Sequence, residues 1–437
     1  MNNFNITTLK NGFKYLTIDD KTLNHCVILL SVKVGSINEN EEHAGISHFL
    51  EHMPFKATKK FKNSKVLSYA LDYMGGLCNA STGKETTSYY IKASNDYLNQ
   101  SLDIITDMVF NATLNNKDVN MERNVILEEY KKDLDDPYVI IDDILFSTIF
   151  KNHILENSII GTEKTINNIT YKDLKKHYNQ FYNPSNMTLV IIGNLDKSIH
   201  NKIKNKFSKK NITIKNNEPT FVDTQQVPRI IYKEKLGIEQ VYVSLSFPSF
   251  NYYHKDRHII NIIKTYLADG MSSELFLLLR DTYGLIYSIS SETIHYNTGG
   301  YINFVLTLTP KNITKTIKLV IETLEKIKKK GIPKKDLQKS KNLLKGNILI
   351  ETEDLLNVAE FYSDQLIGDT TKSPIINYNT LFNYYEKINQ KEIIRVANDI
   401  FDLNKINIII YGKINKIEIK NIKNYVNKLI LRSNTKS

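Results

Sequence analysis

The stretch GISHFLEHMPFKAT, residues 45–58, places two histidines and a glutamate within five positions. Its apolar residues recur at helical spacing and predict an amphipathic helix with one apolar stripe, formed by Ile46, Phe49, Leu50 and Met53. On such a helix His48 and His52 lie one turn apart on the same face, so both imidazoles can bind one metal ion. Glu51 lies beside them, near enough to act on a water at the metal without being a ligand. The stretch therefore predicts a metal site in the order His–x–x–Glu–His.

A coincidence is the main alternative to this reading. The chain has ten histidines, and a chance match to the five-residue pattern is an event of about one in a hundred. A second alternative, that His48 and His52 are core histidines, is weak because two histidines on adjacent turns and a glutamate on a half-buried helix would need partners for several polar atoms. The motif alone favours a metal site, and a third ligand elsewhere in the chain would strengthen it.

The segment MERNVILEEYKKD, residues 121–133, offers that ligand. Catalytic zinc sites take three protein ligands and leave one position open for water. Glu122 and Glu129 are seven residues apart, which is two helical turns, so they lie on one face. Glu128 points about 100° away from Glu129. We expect Glu129 to complete a His₂Glu set and Glu122 to lie behind it, where a carboxylate can orient an imidazole N–H.

Length and composition narrow the class of protein. A chain of 437 residues exceeds one typical core, which predicts two domains. The net charge is +11, but only six of the 58 basic residues are arginines and no base-reading motif is present, so no nucleic-acid partner is expected. No apolar run reaches the roughly 18–20 residues of a membrane span. Two cysteines and an N-terminus unlike a signal peptide predict a cytoplasmic protein, or a mitochondrial matrix protein if the source is eukaryotic.

Strand-like and helix-like segments alternate twice along the chain. We predict an N-terminal domain over residues 1–197 and a C-terminal domain over 229–437, both of the α+β class. Residues 198–228 are rich in Asn, Lys and Thr and are the best linker candidate. The similar order of elements in the two halves suggests an ancient duplication.

These motifs, in this order, resemble those of the pitrilysin/insulinase-type zinc peptidases. The resemblance is strongest to the short two-domain members similar to the mitochondrial processing peptidase β subunit. It implies His48, His52 and Glu129 as ligands of one zinc ion per chain, Glu51 as the general base, and Glu122 as a supporting residue. It also implies two similar domains, each a mostly antiparallel sheet covered by helices, joined by the linker into a clamshell.

The segment GGLCNASTGKETTSYY resembles the family's edge strand, which pairs with the backbone of the substrate. This resemblance implies Asn79 and Ala80 as peptide contacts and Glu85 as structural support. Two positions depart from the family pattern: Pro54 and Ala57 replace a small residue and a glycine after the metal-binding helix. Because proline disrupts a helix, we expect Pro54 to end or kink that helix early.

In the second half, GMSSELFLLLRDTYGLIYSIS is similar to the family's Arg…Tyr segment. The similarity assigns Arg280 and Tyr287 to the substrate carbonyl and the developing oxyanion. Taken alone, the two residues fit equally well as a surface helix residue and a packed core residue. The usual glycine cluster before this segment is reduced to Asp269 and Gly270.

The implied function is that of a zinc metalloendopeptidase that cleaves unfolded peptides inside a closed chamber. The chain would act as a homodimer or as a heterodimer with a related subunit. The tract 122–143 has eight acidic and three basic residues, which favours basic peptides if it lines the chamber, although solvated helix ends explain the acids equally well.

Two alternatives remain. One is a targeting-sequence processing peptidase subunit that needs a partner. The other, from a different class, is a non-catalytic core-type scaffold subunit. The intact His–x–x–Glu–His motif argues against the scaffold.

Overall fold

The computed structural model describes residues 3–208, 221–368 and 370–434. The described residues form eleven strands and a larger number of helices. The strands are β1 (Asn5–Thr8), β2 (Lys14–Asp19), β3 (His25–Val32), β4 (Leu77–Thr82), β5 (Thr87–Ser94), β6 (Met187–Gly193), β7 (Arg229–Lys233), β8 (Val241–Ser249), β9 (Ile286–His295), β10 (Gly300–Leu308) and β11 (Asn407–Tyr411). The α-helices of the first half are α1 (Ile46–His52), α2 (Ser64–Tyr73), α3 (Leu98–Phe110), α4 (Asn116–Asp135), α5 (Pro137–Ile149), α6 (Glu163–Asn168), α7 (Tyr171–Phe181) and α8 (Ile199–Phe207). Those of the second half are α9 (Arg257–Ala268), α10 (Glu274–Phe276), α11 (Ile313–Lys330), α12 (Lys334–Glu351), α13 (Leu355–Ile367), α14 (Tyr378–Lys387), α15 (Gln390–Ile400) and α16 (Lys416–Asn434).

The chain divides into two compact units, and each unit has its own sheet. Unit 1 consists of Met1–Lys132, Asn157–Glu218 and Leu349–Asn377. Unit 2 consists of Asp133–Glu156, Pro219–Ile348 and Tyr378–Ser437. The predicted α+β class with two sheets is confirmed. The clamshell arrangement stays a prediction.

The two sheets repeat one topology. In unit 1 the strand order is β1-β2-β6-β3-β5-β4, and in unit 2 it is β7-β11-β8-β10-β9. One neighbouring pair in each sheet is parallel, β2 with β6 and β7 with β11, and the other pairs are antiparallel. Apart from β1, strands therefore correspond one to one in order and direction. This is the arrangement that a duplication would leave, and it places β4 and β9 at equivalent edges.

The two units exchange one helix each relative to the chain order. Helix α5 packs on β8 and β11 and belongs to unit 2, although it comes from the first half of the chain. Helix α13 packs on β3 and β6 of unit 1, where Ser363 hydrogen-bonds Ser31 at 2.8 Å. The predicted domains, 1–197 and 229–437, are contiguous and therefore differ from the two units in these segments. The apolar stripe of a helix predicts that the helix packs on a sheet, but it does not predict which sheet.

The predicted linker, residues 198–228, also differs from the structure at its start. Helix α8 occupies Ile199–Phe207, and its apolar residues Ile199, Ile203 and Phe207 are buried in the core of unit 1. Residues 209–220 of the predicted linker lie outside the described residues. No helix in the described part of the chain is both long and apolar enough to cross a membrane.

Burial along the strands determines which faces are open. Strands β3 and β6, in the middle of the unit 1 sheet, are buried almost throughout. Strand β5 alternates, with Tyr89 and Ile91 packed against the helices. The edge strand β4 also alternates, but Leu77, Asn79 and Ser81 are exposed. Strand β4 is one of the two edges of this sheet, and its unpaired side can accept an additional strand.

Candidate metal centre

A glycine and a buried carboxylate determine where α1 begins. Gly45 precedes the helix with φ of +92°, a left-handed conformation that other residues adopt only with strain. A side chain there would also collide with the backbone carbonyl of Ile160. The buried Glu39 accepts hydrogen bonds from the Gly45 and Ser47 N–H groups at 2.7 and 2.8 Å. These contacts hold the first turn of α1 in one position against its neighbours.

The end of α1 follows from Pro54. The α-helix stops at His52 and continues as a single 3₁₀ turn over Met53–Phe55. The Lys56 N–H closes that turn by donating to the Met53 carbonyl at 3.0 Å. The early helix end predicted from the proline is confirmed. Because a 3₁₀ turn is tighter than a turn of α-helix, the Lys56 side chain points in a different direction from the one that a continuous α-helix would give it.

The side chains of His48, His52 and Glu129 lie together in unit 1. The Nε2 atoms of His48 and His52 are 3.4 Å apart, and each lies 3.7 Å from Oε2 of Glu129. A tetrahedral ion with bonds of about 2.0–2.1 Å separates its ligand atoms by roughly 3.3 Å. The His₂Glu set therefore fits zinc in both composition and spacing. In the described part of the chain this is the one group of three His, Cys, Asp or Glu side chains with ligand atoms so close together.

The protonation of His48 suits a ligand. Burial, together with a smaller contribution from the neighbouring His52, lowers the pKa of His48 to about 3. The imidazole is therefore neutral near pH 7, the form that binds a metal. Among the described residues its buried Nδ1 atom has no hydrogen-bond partner, so the ring is positioned by packing and by what meets Nε2.

His52 is oriented by Glu122. The His52 Nδ1–H donates to Oε1 of Glu122 at 2.9 Å, which leaves Nε2 facing His48 and Glu129. Burial raises the pKa of Glu122, but hydrogen bonds from His52 and Lys56 outweigh it and hold the pKa below its usual value. Glu122 is therefore an anionic partner behind the three candidate ligands, and its role as a supporting residue stays a prediction.

Glu51 lies at the junction of α1 and the edge strand. The side chain is buried, and Thr82, the last residue of β4, hydrogen-bonds its carboxyl group. Burial raises the pKa of Glu51, and the nearby charge of Glu129 adds to the effect. A raised pKa suits a carboxylate that must accept and return a proton near neutral pH.

The predicted peptide contacts are on β4. Asn79 pairs with Tyr90 and Ala80 with Tyr89 of β5, so the opposite side of β4 is the edge of the sheet. Glu85 lies half-buried in the turn between β4 and β5. The structure places Asn79 and Ala80 on the strand that Glu51 touches. The roles of these three residues stay predictions.

Arg280 and Tyr287 lie together in unit 2. Arg280 is in a π-helical turn over Leu277–Thr282, and its Nη1 donates to the Tyr287 carbonyl at 3.0 Å. Its guanidinium is 6.0 Å from the Tyr287 ring. The Tyr287 side chain is 67% exposed, so core packing does not explain it. An isolated π-turn is often associated with function, and the role of the pair stays a prediction.

Sequence reasoning missed three supporting residues. Glu39 supports α1, Thr82 supports Glu51, and Lys56 supports Glu122. Glu39 and Lys56 act from outside the regular helix, and Thr82 acts from the end of a strand. Lys56 follows His52 by four residues, which is the one signal in the sequence that pointed to it.

A buried histidine beneath α1 gives a testable pH dependence. His177 hydrogen-bonds the Ser47 hydroxyl at 3.1 Å, and burial, with a contribution from His43, lowers its pKa to about 4. Below about pH 6.5 the histidine is protonated in the unfolded state but stays neutral in the folded state. Stability is therefore lost as the pH falls from about 6.5 to 4, by about 3 kcal/mol from this group.

Urea unfolding of the wild type and of His177→Gln across this pH range measures the effect. We expect the free energy of unfolding of the wild type to fall relative to the variant as the medium is acidified. His25→Gln, a change at an exposed histidine, should run parallel to the wild type. A constant difference between wild type and His177→Gln would contradict the prediction.

Comparison with known protein families and relatives identifies the class of protein to which this fold and site correspond. Residues 14–163 match the model of the insulinase family, peptidase family M16, and residues 168–344 match the M16 inactive domain. An uncharacterized zinc protease of Bacillus subtilis is 30% identical over 349 residues, which cover 79% of this chain and 84% of that protein. One of Rickettsia felis is 28% identical over 403 residues, 91% of this chain and 95% of the other.

Solved structures agree with this class. A protease from Helicobacter pylori superposes with a TM-score of 0.86 at 26% identity, covering 94% of this chain and all of that one. An M16 inactive domain from Pseudomonas fluorescens, at 16% identity, shows the same fold with a TM-score of 0.85 and covers 94% of this chain and 98% of that one. The chain belongs to the insulinase family of peptidases, M16. The predicted resemblance is thereby confirmed, and the names of the relatives support a zinc peptidase.

Proposed function

We propose that the chain is a zinc-dependent endopeptidase that hydrolyses unfolded peptides bound in an extended conformation. The observation that carries the proposal is the triangle of ligand atoms from His48, His52 and Glu129, with edges of 3.4 to 3.7 Å, beside the buried Glu51. A non-catalytic scaffold has no need for the general base, and here the base and all three ligand side chains are present.

The residues of the site have separate roles in this proposal. His48, His52 and Glu129 would hold the zinc ion. When bound, zinc acidifies a water molecule and polarises the scissile carbonyl. Glu51 accepts the proton of the attacking water and delivers it to the leaving amine. Its hydrogen bond with Thr82 keeps the carboxylate at the end of the edge strand while the proton moves.

Strand β4 gives the substrate its conformation. A peptide that adds to the open edge of β4 as a further strand is bound through its backbone at Asn79 and Ala80. Thr82 of the same strand contacts Glu51. A peptide that pairs with β4 along its length therefore lies close to the general base. An unfolded peptide can extend along this edge, whereas most strands of a folded protein are already paired, which supports unfolded peptides as substrates.

The remaining assignments rest on the family resemblance. Arg280 and Tyr287 stabilise the oxyanion, the substrate is enclosed in a chamber, and the chain pairs with a second copy or a related subunit. Basic peptides, including targeting sequences, are the substrate class that the acid-rich tract 122–143 favours.

Metal removal tests the proposal. We expect the purified protein to contain one zinc per chain by elemental analysis and to cleave members of a quenched fluorescent peptide library. A chelator should abolish cleavage, and stoichiometric zinc should restore it. Basic and neutral peptides of equal length separate a targeting-sequence peptidase from a general oligopeptidase. Cleavage that survives complete removal of zinc, or zinc-loaded protein that cleaves no peptide even after a related subunit is added, would refute the proposal.

A further inference from the structure

Lys56 makes an ion pair directly behind the metal-ligand set. Its ammonium group contacts Oε2 of Glu122, while Oε1 of the same carboxylate accepts from His52 Nδ1 at 2.9 Å. The Glu122 side chain is 5% exposed and that of Lys56 is 27% exposed. The two oxygens of one buried carboxylate thus bind a ligand histidine on one side and a lysine on the other.

The backbone around this carboxylate is fixed on both sides. Arg123, the next residue of α4, donates to the carbonyls of Ile166 and Ile169 and lies 5.4 Å from the Phe49 ring of α1. On the other side, the 3₁₀ turn after α1 determines the position of Lys56. What remains free is the rotation of the Glu122 side chain. A carboxylate held through one oxygen can still swing, whereas a charged contact to the second oxygen fixes its plane.

The orientation of Glu122 matters because it is transmitted to His52. The Nδ1–H···O bond selects the tautomer in which Nε2 carries the lone pair and aims the ring. A Glu122 side chain that rotates away would no longer hold the Nδ1–H of His52.

We propose that Lys56 is a positioning residue of the metal centre, which fixes the carboxylate of Glu122 and through it the ligand geometry of His52. The inference rests on the proposed zinc function and extends it to a residue outside the ligand set. Lys56 touches neither the ligand atoms nor a reacting group, so its effect is on metal affinity. A merely structural lysine would change the stability of the protein and leave the zinc affinity unchanged.

Zinc affinity, measured by competition with a chromogenic chelator, tests the proposal. We expect Lys56→Met to bind zinc about 10–100-fold more weakly than the wild type, the usual cost of losing an outer partner of a metal ligand. Lys56→Arg keeps the positive charge and should recover most of the loss. Lys59→Met makes the same change at an exposed lysine three residues further on and should bind as the wild type does.

A double-mutant cycle identifies the route. In a Glu122→Gln background, Lys56→Met should cause no further loss of zinc affinity, because the group that it positions is gone. Cobalt-substituted protein gives a second readout, since its visible spectrum reports the ligand geometry without any turnover. We expect Lys56→Met to shift this spectrum and Lys59→Met to leave it unchanged.

The outcomes separate the two proposals. Wild-type zinc affinity in Lys56→Met, or an equal loss with and without Glu122, would overturn the role of Lys56 and leave the peptidase proposal intact. A wild-type protein that binds no zinc would overturn the proposed function itself. If Lys56→Met fails to fold, Lys56→Gln takes its place and is judged by the same criteria.

Discussion

Replacing Glu51 with glutamine should lower the rate of peptide hydrolysis by about 10²–10⁴-fold, the usual contribution of a general base, while zinc stays bound. Glutamine has the shape of glutamate but cannot accept the proton of the attacking water. Glu51 is outside the triangle formed by His48, His52 and Glu129, so the ligand set is unchanged. Thr82 can still hydrogen-bond the amide, which keeps the side chain in place.

The measurement is kcat with a quenched peptide substrate at equal, independently determined zinc content. Glu42→Gln is the matched control, since it makes the same change at an exposed residue in the turn before α1, and it should retain wild-type kcat. A Glu51→Gln enzyme with more than about a tenth of wild-type activity would rule out Glu51 as the base. Loss of zinc in this variant would instead make Glu51 part of the ligand set.

The elements of the fold were predictable because their periodicity is strong. Strands such as β3 and β6 read as apolar runs bounded by turn residues, and α11 reads as one continuous apolar stripe. The exchange of α5 and α13 between the units was not predictable. Buried residues such as Ile141 of α5 and Val358 of α13 show that each helix is covered, but both sheets offer an equivalent apolar surface because they share one topology.

The same limit applies to the site. His48, His52, Glu122 and Glu129 could be placed on common faces because helical spacing converts sequence separation into direction. For Lys56 the four-residue spacing from His52 was a signal, but the direction of its side chain could not be predicted because it depends on a 3₁₀ turn. Neither Glu39 nor Thr82 shares an element with the groups it supports, and the contacts between them form only when loops and strands pack. The direction of a side chain can be predicted from residue spacing inside a regular helix or strand. The supporting residues of this site lie at the ends of such elements, where the spacing no longer determines direction.

Replacing Glu129 with glutamine should weaken zinc binding by more than the roughly 10–100-fold expected when a partner behind the ligands is lost. Its Oε2 lies 3.7 Å from the Nε2 atoms of both histidines, which makes it the anionic corner of the triangle. A neutral amide oxygen at this corner leaves two imidazoles and no anionic ligand to balance the cation. The side chain is 42% exposed, so the zinc-free variant should unfold at close to the wild-type temperature.

The adjacent Glu128 provides the control, because one residue along a helix turns the side chain by about 100°. Its side chain is 74% exposed and pairs with Lys131, so Glu128→Gln should bind zinc with wild-type affinity. Chelator competition on both variants, beside zinc-free melting curves, separates loss of a ligand from loss of the fold. Equal affinities for the two variants would mean that the third ligand is elsewhere. Glu122 would be a poor replacement as the third ligand, since its oxygens already contact His52 and Lys56. A metal held by two histidines alone would not activate a water molecule enough for Glu51 to deprotonate it.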